Sequence, residues 1–295
     1  MGEAGEVIEL VIPALERDLG GFRVGRILPA ARRRMVGPFT FLDHLGPLVL
    51  EAPVPRSADV RPHPHIGLST VTYLFEGEMT HRDSLGIEQV IRPGEVNWMT
   101  AGRGISHSER FDGMRTRGGA LHGLQAWVAL PEVHEEDDPS FEHYGRDELQ
   151  AFELPGVSVC LIAGSAFGAT SRVQTRSPLV YAHLEMQAGA LLELPADYPE
   201  RALYVVSGSI GVGGSRVVSK SMIVVRGGAT PQLSAREHST VMLLGGEPVG
   251  QRFVWWNFVS SRRERIEQAK GDWSEGRIPL PPADSGEWIP LPDGG

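Results

Sequence analysis

Between its glycines and prolines the chain reads as short runs in which apolar and polar residues alternate: "GLSTVTYLFEG", "IEQVIRPGEVNWMTAG", "LHGLQAWVALP", "VSVCLIAG", "LVYAHLEMQAGALLEL", "RALYVVSGSIGV" and "STVMLLGGEP". A period of two is the signature of strands with one face buried, and repeated short strands bounded by turn residues predict an antiparallel sandwich or barrel. Before residue 260 there is almost no helical period. The stretch "STVTYLFEGEM" at 69–79 has the same pattern as "RALYVVSGSIG" at 201–211, with Gly77 and Gly208 at matching turns. This predicts two copies of one barrel. The glycine-rich "GSIGVGG" at 208–214 lies between two such runs and opens no helix, so it reads as a hairpin and not as a dinucleotide loop.

One helix is expected, late in the chain. In "SSRRERIEQAKGDW", Ser261 and Glu264 have capping-box spacing, and Ile266, Ala269 and Trp273 share a face, with Gly271 able to end it a turn early. The proline-rich tail after it reads as extended, with Trp288 as an anchor. The polar stretch "PEVHEEDDPSFEHYGRDELQ" at 131–150 reads as the connection between barrels, and Glu135 to Asp138 as a solvated charge run. The expected organisation is residues 1–135 for the N-terminal barrel, 136–255 for the second barrel, and 256–295 for helix and tail.

The 295 residues suit two domains, and 41% apolar with 22% charged residues is ordinary globular composition. A net charge of −9 speaks against direct nucleic-acid or anionic-membrane partners. The one basic triplet, Arg32 to Arg34, reads as a solvated turn. A single cysteine, Cys160, excludes a disulfide framework and fits a reducing compartment; its apolar flanks predict a buried, inert thiol. The opening "MGEAGEVIELVIPALERD" lacks the basic-then-apolar order of a signal peptide, and Glu6 stands where a myristoylation signal needs Ser or Thr. No apolar run approaches the ~20 residues of a membrane span. A cytoplasmic monomer is the expectation.

The chemistry concentrates in "PHPHIGLSTVTYLFEGEMTHRDSLG" at 62–86. Side chains at i and i+2 of a strand share a face, and Pro62 and Pro64 favour extension, so His63 and His65 converge. The same spacing returns 42 residues after His65, in "GRGISHSER", as His107 and Glu109. Three imidazoles and a carboxylate suit iron, nickel, cobalt, manganese, copper or zinc, and leave two positions open on an octahedral ion. His44 reads as structural, paired with Asp43. His81 reads as a hairpin-turn residue, and His122 as preceding a strand.

The stretch "HPHIGLSTVTYLFEGEMTHRDSLG" followed by "IRPGEVNWMTAGRGISHSE", with "MVGPFTFLDHLGP" upstream and "LQAWVALP" downstream, resembles the pirin family of the cupin superfamily. The resemblance is strong over about residues 25–145 and weaker beyond, although "FVWWNFVSSRRERIEQAKGDW" is similar to a bacterial branch. It implies an all-β bicupin of two antiparallel, jelly-roll-type β-barrels with a C-terminal helix. The family's four metal ligands fall on His63, His65, His107 and Glu109, with iron the metal expected first. In the second repeat Leu194, Ala196, His238 and Thr240 stand at the matching positions, so that barrel is expected to be metal-free.

Some members of the resembled family open the flavonol quercetin with dioxygen, as quercetin 2,3-dioxygenases. That implies a small aromatic substrate, dioxygen, and Glu109 as the catalytic group taking the 3-hydroxyl proton. Other pirins imply a different role, an iron redox-sensing binding protein that modulates a transcription factor or metabolic enzyme. A zinc sugar-isomerase cupin is a third reading, but it lacks further acid–base residues near His107 and Glu109.

Overall fold

The computed structural model describes residues 7–18 and 20–292; residues 1–6, Glu6 among them, lie outside the described residues. From Ile8 on, among the described residues, the regular structure is β apart from short 3-10 turns and the helix Arg263–Ser274. The chain forms two compact units, neither of them consecutive in sequence. One contains the N-terminal stretch to Glu16, Gly25–Leu42 and Asp147–Pro248. The other contains Arg17–Val24, Asp43–Arg146 and the chain from Val249 on. This differs from the division at 135 and 255. The strand Ile8–Pro13 pairs with Ser221–Val225, and the last forty-odd residues pack with the first barrel; neither long-range choice leaves a local signal. Residues 131–146 are likewise no free connection: Ser140–Tyr144 pairs with Val96–Thr100.

In the unit that contains the histidine pairs, a four-stranded sheet runs Val60–His65, Ile105–Arg110, Met79–Asp83, Glu88–Ile91. A larger sheet includes, in order, Ser140–Tyr144, Val96–Thr100, Leu68–Glu76 and Gly119–Ala129. Leu45, Leu74, Met79, Phe111 and Leu121 are in its buried core. Two prolines are tolerated in Val60–His65 because it is an edge strand, where a missing N–H breaks no ladder. The open edge is used: Pro62 O accepts the Ile289 N–H at 2.8 Å. At Gly67 the chain turns with φ +66°, and an added Cβ would lie 2.0 Å from Val259 O, so only glycine fits.

The other unit has an eight-stranded and a four-stranded antiparallel sheet. Its core includes Val159, Leu161, Leu184, Leu203, Ile210 and Leu243. The repeat is real at the level of backbone: Glu200–Ser207 turns through Gly208 into Ser209–Val212, as Leu68–Glu76 turns through Gly77. Ser209–Val212 and Ser215–Val218 form the expected hairpin. Leu194 is in the core, and exposed His238 lies 3.4 Å from Glu185.

Three local expectations are corrected. Cys160 is half-buried and not buried: on Val157–Ala166 it alternates with the core residues Val159 and Leu161, and it lies in register with His183. Ser261 does not cap the helix. Its N–H and hydroxyl go to the Glu135 carboxylate at 2.7 and 3.1 Å, and Arg262 takes the N-cap position without a side-chain hydrogen bond. Glu135 is accordingly no solvated charge. It is 3% exposed and ion-paired with Arg252 at 3.1 Å. Among the described residues no helix is long and apolar enough to cross a membrane.

Candidate metal centre

The antiparallel register of two strands builds the site. His107 is the Cα partner of His63, and Ile105 that of His65, so the two motifs share one face of one strand pair. One ring nitrogen from each of His63, His65 and His107 lies within 4.8 Å of the other two. Nδ1 is engaged in every case: His63 with Arg61 O at 2.9 Å, His65 with Asn257 O at 3.2 Å, and His107 with Nδ1 of His81 at 3.2 Å. Nε2 is therefore the converging atom. The Nε2 atoms of His65 and His107 are buried without a hydrogen-bond partner, a state that costs free energy unless something outside the chain is bound. Trp127 stands edge-on to His65, ring centroids 5.2 Å apart.

Burial decides the charge state. Desolvation lowers the His63 pKa to about 4 against a favourable contact with Arg61 O, and holds His65 and His107 well below the ordinary range, each further depressed by its neighbours. Three neutral imidazoles at neutral pH are the form that binds a metal. Desolvation pushes the Glu109 carboxyl the other way, up to about 7, against a hydrogen bond with Thr72. Thr72 in turn donates to Gln125 Oε1 at 2.7 Å. Glu109 lies outside the group of three converging nitrogens. A bulge in the pairing after His107 sets it opposite Val60 and His81.

The structure brings in residues that spacing alone did not. His81 is not in a turn. It lies on the strand Met79–Asp83, 5% exposed, with its ring 5.1 Å from that of His107 and its Nε2 3.0 Å from Asp83 Oδ2. The H-x-D spacing of His81 and Asp83 was its available signal. Asn257 supplies only a backbone carbonyl, for which no sequence signal exists. His44 contacts Nε2 of His122 at 2.8 Å, and His122 lies within the strand Gly119–Ala129 and not before it.

This sequence and this fold have counterparts. The pirin family profile matches residues 21–128, and that of the pirin C-terminal cupin domain matches residues 181–279. A pirin-like protein of Caulobacter vibrioides is 59% identical, over 97% of this chain and 100% of the relative. A Pseudomonas aeruginosa protein, provisionally named as a quercetin 2,3-dioxygenase, is 39% identical over 87% of this chain and 80% of its own. The crystal structure of a quercetin 2,3-dioxygenase from Acinetobacter baumannii superposes with a TM-score of 0.88 at 34% identity, covering 99% of this chain and 98% of that one. Matched along nearly its whole length, and with both halves recognised, the chain belongs to the pirin family of cupin proteins.

Proposed function

We propose that this protein is a metal-dependent dioxygenase of the pirin type, acting in the cytoplasm, that opens flavonols such as quercetin with dioxygen. The observation that carries the reading is the convergence of three buried Nε2 atoms, two of them orphaned, with Glu109 two residues from His107 on the same strand. The similarity to proteins named quercetin 2,3-dioxygenase supports it.

His63, His65 and His107 would hold a divalent ion, iron foremost, with Glu109 as a fourth ligand. When bound, the ion would supply Lewis acidity and a one-electron couple for joining an electron-rich flavonolate to dioxygen. The chain's own residues do the rest. Neutral imidazoles hold the ion without competing protons. Trp127, edge-on to the His65 ring, sets the orientation of that imidazole. Glu109, ionised once it ligates the cation, would take the 3-hydroxyl proton of the substrate. One dioxygen enters, the heterocycle opens, and one carbon leaves as carbon monoxide.

The test is oxygen uptake and carbon monoxide release on quercetin by protein of verified metal content. Stoichiometric gas exchange is expected. Full metal occupancy without oxygen uptake would overturn the enzymatic reading in favour of a metal-dependent binding protein.

A further inference from the structure

Three imidazoles face one point, but they are fixed there in two different ways. His63 and His65 each set Nδ1 against a backbone carbonyl, Arg61 O and Asn257 O. A carbonyl only accepts, so Nδ1 carries the hydrogen and Nε2 the lone pair. One contact settles each tautomer. His107 has no such contact. Its Nδ1 lies 3.2 Å from Nδ1 of His81, and an imidazole nitrogen can either donate or accept. The decision passes through the His81 ring to its far side, where Nε2 is 3.0 Å from Asp83 Oδ2.

A carboxylate only accepts. The Nε2 hydrogen of His81 therefore points at that carboxylate, and in the singly protonated ring Nδ1 carries the lone pair. His107 then donates from its own Nδ1 and keeps its lone pair on Nε2, the atom turned toward the other two histidines. We propose that Asp83 and His81 form a two-residue relay that selects the metal-binding tautomer of His107, which makes both of them positioning residues of the centre. The proposal rests on reading His63, His65 and His107 as a metal centre.

Every part of the relay is fixed by the fold. Asp83 is fully buried and is the Cα partner of His107 across the strand pair. Its other oxygen, Oδ1, accepts the N–H groups of Leu85 and Ile87 at 2.9 and 3.2 Å, so the hairpin turn orients the carboxylate. The His81 ring is stacked on Phe141, centroids 4.4 Å apart at 18°, which sets the ring plane. A carboxylate behind a ligating histidine is a common device of metal sites. Here a second imidazole is interposed, and the direction of the hydrogen bonds crosses two rings.

The rival explanation is that Asp83 only holds the turn. Asp83→Asn separates the two. The turn N–H groups require the amide oxygen, so the amide NH2 must face His81 Nε2. A donor now stands where an acceptor stood, and the relay reverses: His81 donates from Nδ1, and His107 carries its hydrogen on Nε2. Nickel(II) titration of the full chain should then show affinity lower by about 10–100-fold. Nitrogen-15 imidazole spectra of the metal-free protein should show His81 and His107 changing tautomer together, with His63 and His65 protonated at Nδ1 as before.

Adding His81→Phe keeps a ring on Phe141 but removes the reversed donor. The relay predicts that Asp83→Asn with His81→Phe binds nickel(II) more tightly than Asp83→Asn alone; a purely structural role predicts a second loss. Undiminished affinity in Asp83→Asn, or a double variant weaker than the single one, overturns the relay. Should Asp83→Asn not fold, the wild-type spectrum decides, because a metal-free His107 protonated at Nε2 refutes the proposal. Nickel(II) binding without flavonol turnover would sink the dioxygenase reading and leave the relay standing. Absence of nickel(II) binding would sink the metal reading, and the spectra would still judge the tautomer.

Discussion

Glu109 and His107 are two residues apart on one strand, yet burial moves them in opposite directions: the imidazole is held neutral, and the carboxyl is raised to about 7. Glu109→Gln keeps an oxygen donor of the same size and removes the base. Metal affinity should weaken, because a neutral amide is a poorer ligand, and at restored occupancy quercetin turnover should fall by about 10²–10⁴. Near-normal turnover in fully loaded protein would show that another group takes the proton. The same shifts give the metal-free protein a defined pH profile. The His63 pKa is depressed from 6.5 to about 4, so the unfolded chain takes up the proton first. That stability is complete above 6.5 and is lost as pH falls toward 4, about 3 kcal/mol from His63 alone at ~1.4 kcal/mol per unit. Glu109 has the opposite sign. Its raised pKa makes the metal-free fold progressively less favourable from the ordinary carboxyl range up to about 7, and a bound cation relieves that penalty. Between pH 6.5 and 4.5 the Glu109 gain offsets the His63 loss, so the fall expected in thermal melts of metal-free protein below pH 6.5 comes from His65 and His107, also held well below 6.5, and added nickel(II) should stabilise most above pH 7. A flat profile between pH 6.5 and 4 would mean that the histidines are not buried in solution.

At the scale of the element, the parts legible in the sequence are those that a single strand determines. His63 with His65, and His107 with Glu109, could be read because the pleat alone puts i and i+2 on one face. The edge position of Val60–His65 was implicit in Pro62 and Pro64. What depends on pairing between distant strands was not legible. His81 matters only because Met79–Asp83 is registered against Ile105–Arg110, and Cys160 escapes the core only by the phase of its strand. Glu135 is the sharpest example. Inside "HEEDD" it reads as solvent-facing, but the chain folds back from residue 252 to bury it with Arg252, Ser260 and Ser261. Breaking a buried pair by removing one partner typically costs about 3–5 kcal/mol. Glu135→Ala should accordingly lower the melting temperature by many degrees, whereas Asp138→Ala, at an exposed pair with Arg103 in the same run, should change it little. Equal effects of the two substitutions would contradict the buried pairing.

At the scale of the molecule, the segment from Val249 on is not an appendix to two finished barrels but part of the metal-bearing unit. Phe258, Ile266, Ala269, Trp273 and Ile278 close over Ile66, the residue next to His65. Asn257 supplies the carbonyl that fixes the His65 tautomer. Ile289 pairs with the open edge at Pro62, and Asp284 holds Arg110 at 2.7 Å. The other unit draws its core from Val157 to Leu243 with the N-terminal strand, and uses none of these residues. A chain ended after Pro248 should therefore lose function selectively. Exposing the apolar face around Ile66 and freeing the His65 ring should weaken nickel(II) binding by at least the ~10–100-fold typical of a lost histidine support. Hydrogen exchange should find Leu179–Met186 and Ser239–Gly246 still protected, while Val60–His65 and Ile105–Arg110 exchange quickly. Full nickel(II) affinity in the shortened chain would show that the four-stranded sheet holds its histidines without help. Loss of protection throughout would show that the second barrel, too, depends on the C-terminal segment.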